Sequence, residues 1–268
     1  MNHNFKKPDE SGVSEAIGFI IMFSIVLTGI AMVTLYGYPL LLESQISSDE
    51  RTMEQTMITL QNEMKILTFS NVPYRDISIR VSGGFLDAID NGNSVEKFTI
   101  SYPDTAGANV DYEFAPGALR YTSGEGDTVL SIQNGALVSR QKFQTGSAMV
   151  AEPRWFFDDS TKTLVMSLIK IKADREYSLG GIGNLQMSML DKPETKADIN
   201  FIASLGVSQT VRVKYEPDPD DDYSLAWKNY LTGDSVLQDG FSPSGNSYQI
   251  NGVERLVLKE YTIKIENL

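Results

Sequence analysis

The sequence predicts an α+β protein in which one long N-terminal helix, first transmembrane and then amphipathic, precedes a mainly antiparallel, β-sandwich-like domain. Three observations predict this class. The run from Ala16 to Leu42 contains no charged residue, apolar residues recur with helical spacing from Met53, and apolar and polar residues alternate from Asp76. They divide the chain into a cytoplasmic tail (1–15), a transmembrane helix (16–42), an amphipathic stalk helix (43–72) and a β-rich extracellular domain (73–268).

The uncharged run is long enough to cross a bilayer. Its 27 residues make a helix of about 40 Å, longer than the ~30 Å hydrocarbon core. A secretory signal has a shorter apolar region followed by small residues at a cleavage site, and Tyr38–Glu43 offers no such pattern. Lys6 and Lys7 precede the run, which favours a cytoplasmic N-terminus. We therefore expect a single-pass protein of the cell membrane, in contact with lipid, whose C-terminal domain is extracellular.

The stalk helix is predicted over residues 44–70 and ends before Pro73. Its apolar residues follow a spacing of 4, 3, 4 and 3, which places them on one helical face: Met53, Met57, Leu60, Met64 and Leu67. Two interpretations remain open, packing against the β-rich domain and coiled-coil packing between subunits. Gly37 and Pro39 indicate a kink before this helix.

The remaining chain reads as short strands separated by turns. Asn134-Gly135 and Asp158-Asp159-Ser160 predict tight hairpins. Residues 224–231 predict a short helix with Ser224 as its N-cap and Gly233 near its end. Strands are predicted at residues 77–81, 97–102, 111–114, 119–121, 128–133, 136–139, 154–157, 163–172, 185–190, 210–215 and 256–265.

Composition excludes several function classes. A net charge of −12 and a pI of about 4.6 argue against nucleic acid as a partner, because phosphate binding needs clustered Lys and Arg. The chain has no cysteine and one histidine, His3, in the polar tail. Thiol chemistry is therefore excluded, and we expect no histidine-based catalysis in the folded domain.

The densest carboxylate cluster is residues 216–222, where Asp218, Asp220 and Asp222 alternate. Calcium prefers several oxygens on a flexible loop, so the interpretations are a solvated loop or a calcium site. Residues 179–184 are glycine-rich but follow no βαβ pattern, and we expect a loop or hairpin. No hydrolase or P-loop motif occurs. We expect no enzymatic activity and no cofactor.

The segment SGVSEAIGFII, residues 11–21, resembles the N-terminus of archaeal type IV pilins and pilin-like proteins. The resemblance implies that a prepilin peptidase cuts between Gly12 and Val13. Glu15 would then be the third residue of the mature chain, and its carboxylate would pair with the amino terminus of a neighbouring pilin-like subunit. A longer likeness, from Gly12 to about Phe85, is to archaeal membrane-anchored proteins with no established activity.

These observations predict a structural or interaction role at the cell surface, with self-association as one form of it. One alternative is a membrane-tethered module that binds carbohydrate, an envelope component or calcium. Exposure of Trp155 and of tyrosines near the acidic loop would favour that alternative, and their burial would assign them to the core. A further alternative, a hydrolase on the extracellular side, requires two carboxylates converging in a cleft.

Overall fold

The computed structural model describes residues 10–70, 72–233 and 240–268, with side chains from Ser14 onward. The chain divides between Ser48 and Asp49 into two compact units. The predicted class is confirmed, since a long N-terminal helix is followed by a β-rich, mostly antiparallel domain.

The N-terminal helical segment contains one irregular turn. Helix α1 spans Glu10–Met32, a π-helical turn spans Val33–Gly37, and α2 spans Tyr38–Phe69. In the π turn the N–H of Tyr38 bonds the Val33 carbonyl. Pro39 lacks an N–H and its ring crowds the preceding turn, which a wider π turn accommodates. The predicted irregularity near Gly37 and Pro39 therefore takes the form of a π turn.

Fifteen strands and two short helices follow α2 in the described part of the chain. Helix α3 spans Phe201–Leu205 and α4 spans Ser224–Thr232. The strands are β1 Tyr74–Ile89, β2 Lys97–Pro103, β3 Asn109–Phe114, β4 Ala118–Ser123, β5 Thr128–Gln133, β6 Ala136–Gln141, β7 Ser147–Ala151, β8 Trp155–Asp158, β9 Thr163–Ala173, β10 Tyr177–Met189, β11 Glu194–Asn200, β12 Gln209–Glu216, β13 Ser242–Ser244, β14 Ser247–Val253 and β15 Arg255–Asn267.

The strands form two sheets. The larger has the order β7-β6-β5-β4-β1-β10-β15-β9-β8, with β11 also paired to β15, and the smaller has the order β13-β14-β12-β2-β3. Neighbours are antiparallel except for β15 and β9, which run parallel from Arg255 opposite Thr163 to Ile265 opposite Ala173. A parallel pair needs a long connection, and here the connection runs from β10 to β14 and includes most of the smaller sheet.

One core is built around the second half of α2. The predicted stripe of Met53, Met57, Leu60, Met64 and Leu67 is at most 1% exposed and packs on inward-facing residues of the larger sheet. Of the two interpretations of the stalk stripe, packing against the β-rich domain is the one that the structure shows. Gln61 lies among these apolar side chains, and its amide donates to the carbonyls of Gly135 at 2.8 Å and Glu152 at 3.2 Å.

The second core lies between the two sheets and α4. Its centre is aromatic: the rings of Phe98 and Trp227 are 4.7 Å apart, and those of Trp155 and Trp227 are 5.7 Å apart. Trp155 is fully buried and its indole N–H donates to the Ser167 carbonyl at 3.0 Å. Tyr223, next to the acidic loop, is also fully buried. Burial assigns both residues to the core.

Two local predictions were wrong, and five of the described elements were not predicted. The glycine-rich residues 179–184, predicted as a loop or hairpin, lie within β10, because pairing with β1 satisfies their backbone groups. Ser224 is not an N-cap but the first residue of α4, and its N–H bonds the Asp222 carboxylate at 2.7 Å. Strands β7, β11, β13 and β14 and helix α3 were not predicted, since their residues lack a clear alternation or a long helical period.

Candidate functional site

The first candidate site is the apolar helical segment at the N-terminus. An 18-residue window within the helical run Ser14–Phe69 has a mean hydropathy of 2.5, and none of it is buried. Two of its hydroxyls bond back to the helix: Thr28 donates to the Ser24 carbonyl at 2.8 Å, and Thr34 donates to the Ile30 carbonyl at 2.9 Å. The exposed surface of the segment consists mainly of large apolar side chains, with no charged residue from Ala16 to Leu42. By length and composition this segment is either a membrane anchor or a signal sequence.

The residues implied by the pilin resemblance lie at the start of this segment. Gly12 and Val13 have helical backbone in α1, and their side chains lie outside the described part of the chain. Glu15 is described and exposed. Cleavage between Gly12 and Val13 and an assembly role for Glu15 remain predictions.

The acidic loop does not gather its predicted carboxylates. Asp220 and Asp222 are exposed, and the Asp218 carboxylate accepts the Asp220 backbone N–H at 3.0 Å within the loop. Among the residues that the structure describes, no three acidic or histidine side chains converge as a metal centre requires. Calcium binding by Asp218, Asp220 and Asp222 remains a prediction.

The residue between them, Asp221, has a different environment. It is 8% exposed and forms ion pairs with Arg120 of β4 and Arg140 of β6. Arg140 also donates to the Asp220 carbonyl at 2.8 Å. Burial lowers the pKa of the Arg140 guanidinium, but its hydrogen bond and charge interaction with Asp221 outweigh this and raise the pKa. The acidic loop is thus attached to the larger sheet by one buried carboxylate between two arginines.

A second buried acid, Glu96, lies on the inner side of the smaller sheet. It is 3% exposed and accepts a hydrogen bond from the Tyr215 hydroxyl at 3.1 Å. The side-chain amide of Gln133 faces both carboxylate oxygens. Burial raises the pKa of the Glu96 carboxyl to about 7, although the Tyr215 hydrogen bond and the charge of Arg120 act in the opposite direction. An amide can serve both protonation states, because its nitrogen donates to the carboxylate and its oxygen accepts from the neutral acid.

Glu96 and Arg140 were missed because each is a single charged residue beside apolar strand residues. Glu96 directly precedes β2 and lies two and four residues before the buried Phe98 and Ile100, and Arg140 lies two and four residues after the buried Val138 and Ala136 of β6. The period of a strand therefore places both side chains on the inward face. A charged residue at an inward position needs a buried partner, and that signal was present in the sequence.

A surface groove provides the third candidate site. It has a volume of about 1070 Å³ and lies where the end of α2 meets β8, β9, β15 and the connection between β10 and β11. Arg154 lies 4.4 Å over the Phe69 ring, and the Phe69 and Tyr261 rings make an edge contact at 5.3 Å. Lys192 and Lys259 also line the groove, with Asp191 the one carboxylate among its lining residues. The groove combines aromatic faces with a surplus of positive charge in an acidic protein.

Comparison with known proteins gives a family of unknown function. A model described as a family of unknown function, DUF7289, matches residues 12–266, well beyond the Gly12–Phe85 segment in which a likeness was expected. An uncharacterized protein of Archaeoglobus fulgidus is 22% identical over 231 residues, covering 72% of this chain and 75% of the relative. No solved structure matches the chain.

Proposed function

We propose, on the premise that the chain belongs to the DUF7289 family of unknown function, that it is a single-pass cell-surface protein with a structural or interaction role. One observation carries the proposal: an apolar helical window with no buried side chain precedes a separate unit with its own cores. A helix that is apolar on all sides needs an apolar solvent, and lipid supplies it.

The proposed orientation puts the tail in the cytoplasm and residues 49–268 outside. Lys6 and Lys7 support it, since basic residues flanking a span favour the cytoplasmic side. Protease added to intact cells should digest the β-rich domain, and protease added to inverted membrane vesicles should remove only the tail. Complete protection of the domain in intact cells would contradict this orientation.

Retention of the apolar segment is tested by the N-terminal peptide mass of protein purified from native membranes. A start at Met1 fits an uncleaved anchor, and a start at Val13 fits an anchor processed like a pilin. A start beyond Leu42 would identify the segment as a signal sequence and would contradict the anchor.

A pilin-like assembly role is the finer form of the proposal. The segment SGVSEAIGFII supports it, together with the exposure of Glu15. We expect Glu15→Ala to abolish incorporation into surface filaments while membrane insertion is retained. Glu43→Ala, which removes an exposed carboxylate just beyond the uncharged run, is the matched control. Incorporation of Glu15→Ala at the level of the unmodified protein would contradict the assembly role.

The role that we propose is non-enzymatic. Its support is that Glu96 and Asp221, the acids with the strongest interactions described above, are enclosed with protein partners. A hydrolase needs carboxylates that reach a substrate across a cleft. Hydrolysis of envelope polysaccharide by the purified protein, lost on substitution of a groove carboxylate such as Asp191, would contradict this part of the proposal.

The groove favours a second function, binding of an anionic ligand such as an acidic polysaccharide. Arg154, Lys192 and Lys259 line the groove and supply positive charge for carboxylates. We expect an oligogalacturonate to bind in calorimetric titrations and Arg154→Gln to weaken binding severalfold. Arg212→Gln, at an exposed position of β12, is the control. Equal binding by both variants would exclude the groove.

A further inference from the structure

Three exposed apolar side chains lie at one end of the larger sheet. Phe143 is 97% exposed, Ile182 is 77% exposed and Phe85 is 56% exposed. Phe85 alternates with the buried Leu86 and so points outward. It lies beside Gly180, whose added β-carbon would be 3.3 Å from the Phe85 ring. We call Phe85, Phe143 and Ile182 the apolar rim.

The same end of the sheet contacts Asp49 and Glu50, the residues of α2 with which the β-rich unit begins. A β-carbon built on Gly83 would lie 3.0 Å from Cβ of Asp49. The Glu50 carboxylate accepts the backbone N–H of Thr128 at 3.2 Å. Asp49 and Glu50 are the first two residues of this unit. The β1 bend and the start of β5 are therefore fixed next to the point where the chain enters the domain.

Hydrogen bonds connect the turns that carry the apolar rim to this entry point. The N–H of Gly124 donates to the Gly83 carbonyl at 2.8 Å. The N–H of Lys142 donates to the Asp127 carbonyl at 2.6 Å, and its ammonium donates to the Gly126 carbonyl at 2.9 Å. Phe143 directly follows Lys142. Ile182 follows Gly181, which pairs with Val81 two residues before Gly83.

The backbone of Phe143 holds its ring outward at a cost. Its φ is +60°, a conformation that is rare for bulky residues and costs about 1 kcal/mol or more. No buried contact offsets this, because the side chain is almost fully exposed. A strained, exposed aromatic residue at a turn is a candidate for a surface role.

Chain length fixes how far this end of the domain can be from the membrane. Six residues separate Leu42, where the uncharged run ends, from Asp49. A helix of this length spans about 10 Å, and even a fully extended chain spans only about 25 Å. Asp49, and with it the apolar rim, cannot leave the neighbourhood of the bilayer surface when the apolar segment is in the membrane.

We infer that the apolar rim docks the β-rich domain on the lipid surface, with Phe143 and Ile182 inserted among the headgroups and upper acyl chains. This inference rests on the proposed membrane anchor. Nearby acidic residues outnumber basic ones, with Asp49, Glu50, Glu125 and Asp127 against Lys142 and Arg80, so insertion depends on apolar area and not on anionic headgroups. The docked domain lies on the membrane surface.

The test uses the full chain in phosphatidylcholine vesicles whose acyl chains carry bromine near the headgroup. Trp155 and Trp227 are fully buried, so Phe143→Trp or Ile182→Trp adds one exposed indole above a constant background. Val207→Trp is the matched control, at a 58% exposed position in the loop before β12. We expect brominated lipid to quench and blue-shift the emission of the two rim reporters and to leave the Val207 reporter unchanged. Iodide in the aqueous phase should quench the Val207 reporter strongly and the two rim reporters weakly.

Two outcomes would overturn the inference. One is lipid quenching at the rim no greater than at Val207, with iodide reaching all three positions equally. The other is protection of the Phe143 reporter that grows with protein density and does not respond to bromine, which would assign the rim to a second copy of the chain. Carbonate extraction of the same vesicles separates the two proposals. If the protein resists extraction but shows no lipid quenching, the anchor is supported and only the docking is contradicted. If the protein is released by carbonate, the anchor is contradicted.

Discussion

The helical segment before Ser48 and the helical segment after it place their apolar residues in opposite environments. In the first, large apolar side chains such as Phe19, Val26 and Leu35 are about half to two-thirds exposed; in the second, Met57 and Met64 are fully buried by strands of the same chain. The sequence difference is the distribution of charged residues, which are missing from one face of the second segment and from every face of the run Ala16–Leu42 in the first. A helix with one apolar face can bury that face against the rest of the protein. A helix that is apolar on every face needs an apolar solvent outside the protein, such as lipid.

The largest effect is expected from a substitution in the buried core around α2. Met57→Asp places a carboxylate in the core around α2 with no cation to pair with it, and we expect a loss of about 4 kcal/mol in the free energy of unfolding. Denaturant unfolding of the detergent-solubilised full chain measures it. Gln55→Asp, two residues away and exposed, controls for the added charge and should change stability by less than about 0.5 kcal/mol. Similar losses in both variants would mean that helix propensity, and not burial, is responsible.

The matching change in the first segment should leave domain stability alone. Ile25 is 67% exposed, and Ile25→Asp places a charge near the middle of the uncharged run. On insertion scales this costs about 3 kcal/mol, so the fraction of protein that resists carbonate extraction should fall. Unfolding of the β-rich domain should be unchanged, and Ile25→Leu should behave as the unmodified protein. A drop in unfolding stability for Ile25→Asp would contradict the separation of the two environments.

The contrast can be sharpened with pH, because the enclosed region contains a titratable group. The pKa of Glu96 is raised to about 7 in the folded state, from an ordinary value of 4.5. The folded protein therefore binds more protons than the unfolded chain between these values. The corresponding stability is fully present below pH 4.5 and is lost as the pH rises through 7, a change of about 3 kcal/mol.

Glu96→Gln isolates this contribution. Its amide can replace the neutral acid between Tyr215 and Gln133, so the variant should lose the stability slope between pH 4.5 and 7 and exceed the unmodified protein in stability at pH 8. Chemical unfolding across this pH range provides the measurement. Glu216→Gln, at a partly exposed position of β12, should keep the slope. An unchanged slope in Glu96→Gln would show that other groups cause it.

The smallest expected effect concerns the one amide inside the apolar stripe of α2. Gln61 donates to the carbonyls of Gly135 and Glu152, and Gln61→Met would leave both acceptors buried without their donor. We expect a loss of about 1–2 kcal/mol, with Gln55→Met as the exposed control. Added stability in Gln61→Met would mean that apolar packing outweighs the two hydrogen bonds.

The spacing of apolar residues predicted those helices and strands that have one buried face and one exposed face. Met53 to Leu67 keeps a helical spacing over several turns, and the alternation around Ile79 and Phe98 places their strands correctly. Strand β11 was missed because its exposed and buried positions do not alternate cleanly. The glycine-rich part of β10 was mistaken for a loop because its pairing with β1 is a long-range property that local composition does not encode.

The candidate sites were less predictable for the same reason. Asp218, Asp220 and Asp222 are adjacent in sequence, whereas Asp221 gains its role from Arg120 and Arg140, about 80 or more residues earlier. The groove at Phe69 and the apolar rim are likewise assembled from separate strands and turns. A sequence pattern predicts which face of a single helix or strand is buried. It does not predict which side chains of separate elements come together to form a site.

The position of β15 has a consequence for biogenesis. Its thirteen residues follow every other described strand in chain order, yet they join β9, β10 and β11 into one sheet. A polypeptide threaded from its amino end through a translocation channel would hold the other strands on the far side without their central partner. Completion of the larger sheet must then wait until β15 has crossed as well, and until that moment β9 and β10 need protection from aggregation.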